Sequence, residues 1–172
     1  LIDIALSYIP EESKTTAAIR KAMECYDNHV EFTEARKEIH NTAPGTFGVQ
    51  SGTIQDIPAE GNEGMEIGAP GFDAPENVAF TIAGWLYGEE DFGKSLCMAV
   101  ACGEDTDCTC ASLGAVLGII AGASGLPEKW TAPLDDKIAT LCIDKTSGGI
   151  WVPSTVTELT ERVMRAAPGF LG

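Results

Sequence analysis

The chain has 172 residues, of which 44% are hydrophobic, enough for one compact domain with a buried core. Eleven Lys and Arg face 26 Asp and Glu, a formal net charge of −15. That balance argues against nucleic acid, whose phosphates require clustered cations, and against anionic membrane surfaces. No apolar run reaches the roughly 20 residues of a membrane span, because the stretch 111–125 is short and broken by glycine.

Near the start, Ser13 predicts an N-cap for a helix over 14–28, with Ala18, Cys25 and Tyr26 on its apolar face and Asn28 at its end. A more polar helix is expected over 31–41. Its charges (Glu31, Glu34, Arg36, Lys37, Glu38) read as a solvated face. His29 and His40 flank it, and neither is assigned to catalysis. Seven glycines and three prolines fall within residues 42–72, which predicts a long loop that is either functional or partly disordered.

Helices resume at Asp73-Ala74-Pro75-Glu76, which combines an N-cap, an early proline and a first-turn acid. This helix runs to Tyr87 and stops at Gly88. Asp91 caps the next, over 92–101. The chain then reaches Gly103-Glu104-Asp105-Thr106-Asp107-Cys108, followed by small and aliphatic residues from Ala111 to about Gly125. Cys110, Gly114, Gly118 and Gly122 recur every fourth position. On a buried helix they make a nearly bare stripe against which another backbone packs closely.

Two readings of the acids stand side by side. Asp107 is an N-cap and Asp105 a solvated loop residue, or the Asp-x-Asp pair offers hard oxygen ligands to a divalent cation such as Mg²⁺ or Ca²⁺. An EF-hand fits poorly, since its third ligand and glycine are replaced by Thr109-Cys110. Cys102, Cys108 and Cys110 lack the spacing of a zinc site. The six cysteines read as reduced, mostly buried thiols of a cytoplasmic protein and not as a disulfide framework. Farther on, helices are expected over Asp135 to Asp144 and from Pro153-Ser154 to about Ala167. The last has Val156, Leu159, Val163 and Met164 as its core face. With no period-two alternation, the fold class is all-α, a compact multi-helix orthogonal bundle.

The segment Ala99 to Thr109, with Gly114, Gly118, Gly122 and Leu126-Pro127-Glu128-Lys129-Trp130, resembles the C-terminal signature of the ADP-ribosylglycohydrolase family. Pro75-Glu76-Asn77-Val78-Ala79, Gly84 to Phe92, and Ile9-Pro10 resemble it too. The resemblance runs from Ile2 to about Ile143. It implies an all-α hydrolase that removes ADP-ribose from a modified protein side chain or small molecule. A pair of Mg²⁺ ions would be held in part by Asp105 and Asp107. The family's next ligand is a Ser or Thr hydroxyl, here Cys108. Asn77 aligns with an asparagine near the substrate pocket, where it binds substrate or supports the helix cap. Glu104 replaces a common glycine and either adds a carboxylate on the substrate side or points to solvent. The family's further metal-binding acids, in a Thr-Asp-Asp-type motif, have no counterpart in this chain. The single domain 1–172 is therefore expected to be the C-terminal part of a larger one. Its partner is the N-terminal half, from which any general acid or base comes. The alternative is a non-catalytic helical binding module with the family fold.

Overall fold

A computed structural model describes residues 1–43, 73–139 and 152–171. The chain divides into two units, Leu1–Leu126 and Pro127–Gly172. Every element among the described residues is helical apart from one isolated β-bridge, Lys137 to Thr155. The fold is all-α. No helix among the described residues is long and apolar enough to cross a membrane.

The first unit holds α1 (Ile2–Leu6), α2 (Lys14–Asp27), α3 (Phe32–Thr42), α4 (Ala74–Tyr87), α5 (Phe92–Ala101) and α6 (Thr106–Ala121). Their starts follow the expected capping chemistry. Ser13 Oγ accepts the Thr16 amide at 3.1 Å, and Asp91 Oδ1 accepts the Lys94 amide at 2.6 Å. Glu31 caps α3 through the Thr33 amide at 2.8 Å.

Helix α4 is the hub, packing against α2, α3, α5 and α6. On one side, Ala79, Phe80 and Ala83 meet Ala18 and Ala22 of α2, Ile39 of α3, Ala43 and Cys102. On the other, Trp85 joins Ala99, Leu113 and Leu117 with Phe92 and Leu96. Tyr87 seals the first cluster. Its ring meets Tyr26 and Phe32 edge-on, each at 5.4 Å, and its hydroxyl donates to the Val30 carbonyl at 2.9 Å.

Several expectations need correction. Helix α6 ends at Ala121, where Gly122 turns to φ 68°, and buries only Thr109, Leu113 and Leu117. Among the described residues, no backbone closes on its glycine row at Gly114 or Gly118. The nearest atom to a Cβ built on Gly114 is Leu96 Cδ2 at 3.7 Å, and nothing lies within 4 Å of one on Gly118. The close approach lies elsewhere, between α4 and α5. A Cβ on Gly84 would stand 2.6 Å from Ala99 Cβ and 2.8 Å from its Cα. One on Gly88 would stand 2.4 Å from Ser95 Cα. Gly88 has an ordinary helical φ of −75°, so space alone requires glycine there.

The second unit contains α7 (Glu128–Thr131), a 3₁₀ turn over Ala132–Leu134, α8 (Val156–Ala166) and α9 (Pro168–Leu171). Residues 135–139 are not helical, against expectation. Asp135 adopts a left-handed φ of 52°, and Asp136 turns back to cap α8. The Asp136 carbonyl accepts the Val156 amide at 3.1 Å and its carboxylate the Thr157 amide at 2.9 Å. Residues 140–144 of that expected helix, and 44–72 of the expected loop, lie outside the described residues. Thr155 takes the N-cap of α8, its hydroxyl accepting the Glu158 amide at 3.0 Å. The expected core face of α8 is exposed: Val156 is 50%, Val163 56% and Met164 65% accessible.

Candidate metal and substrate site

The site is a corner between α5 and α6, and its shape begins with two consecutive left-handed residues. Gly103 has φ 81° and Glu104 φ 59°. A non-glycine residue in this region costs roughly 1–2 kcal/mol. That is a physical reason for glycine at position 104 and for strain at Glu104 here. The double turn reverses the chain, so that Asp105 takes the N-cap position of α6 and Asp107 its first turn.

The expected cap at Asp107 is thereby moved to Asp105. The Asp105 side chain accepts no capping hydrogen bond, while its carbonyl takes the Thr109 amide at 3.0 Å. Both carboxylates lie at the positive end of a 16-residue helix. Asp105, Asp107 and Cys108 each offer one ligand atom, and the three lie within 4.8 Å of one another. Asp105 is half-buried; Asp107 and Cys108 are exposed.

The donor set divides by chemistry. Two carboxylates at this separation suit a hard divalent cation. The Cys108 thiol does not. Its hydrogen bond to Asp105, then the Asp105 and Asp107 charges, push its pKa up, and a protonated thiol is a poor partner for magnesium.

Asn77 meets the Asp105 backbone directly. Its Oδ1 accepts the Asp105 amide at 3.3 Å, tying the first turn of α4 to the N-cap of α6. Immediately before it, Glu76 is buried against His40, with Oε1 2.6 Å from Nδ1 and both side chains 3% exposed. Burial drives the Glu76 pKa up and the His40 contact opposes this. Glu104 and Asp73 add negative potential. Glu104 thus sits within electrostatic reach of Glu76. One turn before His40, Arg36 donates its Nε–H to the Cys102 carbonyl at the end of α5. Sequence reasoning missed both of these links. His40 was set aside as a lone histidine and Arg36 counted among solvated charges. The one local signal was their i, i+4 spacing on α3, which puts them on a common face.

An apolar groove of about 740 Å³ lies among α1, α4 and α6, lined by residues such as Ile4, Tyr8, Ile82, Trp85, Val116 and Ile119. The aspartate corner is not part of it.

The family model described as ADP-ribosylglycohydrolase matches residues 1–168. The chain belongs to the ADP-ribosylglycohydrolase family. The match runs past residue 143, where the resemblance was expected to end, and takes in nearly the whole chain. Membership points to a glycohydrolase of the kind whose catalysis depends on metal and whose substrates carry ADP-ribose. Against curated proteins and against solved structures the chain finds no match.

Proposed function

We propose that this chain is the metal-binding part of an Mg²⁺-dependent hydrolase. It would free ADP-ribose from a modified protein side chain or an ADP-ribosylated small molecule. The observation that carries this reading is the pair of family-motif carboxylates, Asp105 and Asp107, presented together at the mouth of α6.

The bond to be broken is at the anomeric carbon of the distal ribose, through an oxocarbenium-like transition state. A pair of Mg²⁺ ions, when bound, would supply a grip on the ribose hydroxyls and an oriented, acidified water. In this reading Asp105 and Asp107 are ligands and not proton donors. Asn77 and Glu104 line the substrate side, with Asn77 also holding the Asp105 backbone. Cys108 stays a thiol and leaves its coordination position to water. Two carboxylates are too few for two octahedral cations. The remaining ligands, and any general acid or base, are assigned to an N-terminal half of the domain outside this chain. A cytoplasmic location completes the proposal.

The test compares this chain alone with the same chain joined to the sequence that precedes it. The readout is release of ADP-ribose from ADP-ribosylated arginine and protein, in Mg²⁺ and in EDTA. The joined protein is expected to be active only with Mg²⁺, and the chain alone nearly inactive. Asp105→Ala and Asp107→Ala in the joined protein are expected to lower metal affinity and rate together. If they remove only a helix cap's worth of stability, about 1 kcal/mol, the metal reading fails. A folded but inactive joined protein would favour the non-catalytic alternative.

A further inference from the structure

The turn that carries the acids is expensive to hold. It contains two successive left-handed residues, one of them Glu104. It also joins the C-terminus of α5, where orphan carbonyls face out, to the N-terminus of α6, where orphan amides do. Such a turn keeps one shape only if its surroundings over-determine it. Local bonds supply part of it, from the Gly103 amide to the Val100 carbonyl and from the Thr106 amide to the Glu104 carbonyl, each at 3.0 Å, and a long-range constraint adds to them. It comes from α3, through two side chains one helical turn apart.

Arg36 is the first. Its Nε–H bonds the Cys102 carbonyl, and its Nη2 lies 3.5 Å from where a Cβ on Gly103 would stand. A planar, permanently charged donor on a helix-terminal carbonyl is a strong contact. His40 is the second. It grips Glu76 in a dry setting, with both side chains 3% exposed. Glu76 adjoins Asn77, whose amide oxygen takes the Asp105 N–H. Helix α3 therefore holds both ends of the turn, Cys102 directly and Asp105 through α4.

We propose that Arg36 and the His40–Glu76 pair are positioning residues. They fix the turn 102–105, and with it the mutual placement of the Asp105 and Asp107 carboxylates. The functional side of this rests on the reading of those carboxylates as cation ligands. The geometric side does not.

Electrostatics makes the proposal easy to separate from a charge effect. Removing a cation from the neighbourhood of these acids makes the site more negative and, by itself, tightens cation binding. Loss of positioning does the opposite.

The experiment uses the full chain and Mn²⁺ alone as the probe, followed by electron paramagnetic resonance. Amide hydrogen exchange is measured in parallel at residues 105–108. Arg36→Gln is expected to weaken Mn²⁺ binding about tenfold and to speed exchange at those amides about tenfold, while protection at Ala22 and Ile39 is kept. Glu76→Gln preserves shape but removes a negative group, so it is read by exchange alone, which it is expected to speed at residues 105–108 to a smaller extent. It serves as the second variant if Arg36→Gln does not fold. Asp107→Asn is the control for the cation reading. If it leaves Mn²⁺ binding unchanged, the cation reading fails; if the wild-type chain by itself binds none, exchange alone decides the positioning. Exchange at 105–108 that is unchanged in both α3–α4 variants, or Mn²⁺ binding tightened by Arg36→Gln, overturns the proposal.

Discussion

Helices α4 and α6 both carry glycines four residues apart, yet only one pair faces a neighbour. Gly84 and Gly88 of α4 meet Ala99 and Ser95 of α5, with virtual Cβ distances well under 3 Å. The row on α6 begins against α5, where the Cys110 thiol donates to the Leu96 carbonyl at 3.2 Å. It then meets nothing within 4 Å at Gly118 among the described residues. The difference lies in the partner. On α5, Ser95 and Ala99 are themselves small and four apart, so two bare stripes meet along adjacent helices. Opposite Gly114 stands the long side chain of Leu96. A small-residue stripe thus predicts a close crossing only when a second stripe answers it.

The sharpest way to break this contrast is to add methyl groups to α4. Gly88→Ala and Gly84→Ala force backbone apart on α5, and each is expected to cost about 3 kcal/mol, read from urea unfolding. Equal tolerance at these sites and at Gly118 would erase the comparison.

A second, smaller effect needs alkaline pH. Cys102, at the packed end of α5, has its thiol pushed up to about 12 by burial, against an ordinary 9.0. Above pH 9 the unfolded chain sheds this proton while the folded chain keeps it, so stability falls as pH rises, by about 1.4 kcal/mol per pH unit. Urea midpoints measured between pH 8 and 10.5 should decline more steeply in wild type than in Cys102→Ala.

The smallest expected effect has the opposite sign. Gly118→Ala meets no atom and restores helix propensity, so it should stabilise α6 by up to about 1 kcal/mol. A loss of stability there would mean that the row is covered after all.

The fold was legible wherever the signal was local. Caps at Ser13 and Asp91, the proline start at Pro75 and the stop at Gly88 follow from single residues and their immediate neighbours, whereas the cap at Glu31 was counted among solvated charges. The juxtaposition of Asp105 and Asp107 was legible too, because they lie within one turn. Contacts between distant residues were not. The His40–Glu76 pair spans 36 positions and the Arg36–Cys102 bond 66, and no periodicity links such partners. The helix expected over 135–144 fails over the described residues 135–139 for a related reason. Its apolar spacing is real, but Asp135 turns left-handed and Asp136 is committed to the amides of α8. The exposed face of α8 shows the same limit, since an amphipathic pattern states that a face is apolar and not what covers it.

The bond from Arg36 to the Cys102 carbonyl has a consequence for the order in which the chain assembles. Closing so long a loop is slow and entropically unfavourable. If α3 positions the turn as proposed, the acidic corner acquires its final shape only after α3 has docked, however readily α5 and α6 form by themselves. Cut from the chain, the Gly-Glu-Asp-Thr-Asp peptide keeps its spelling and loses its geometry.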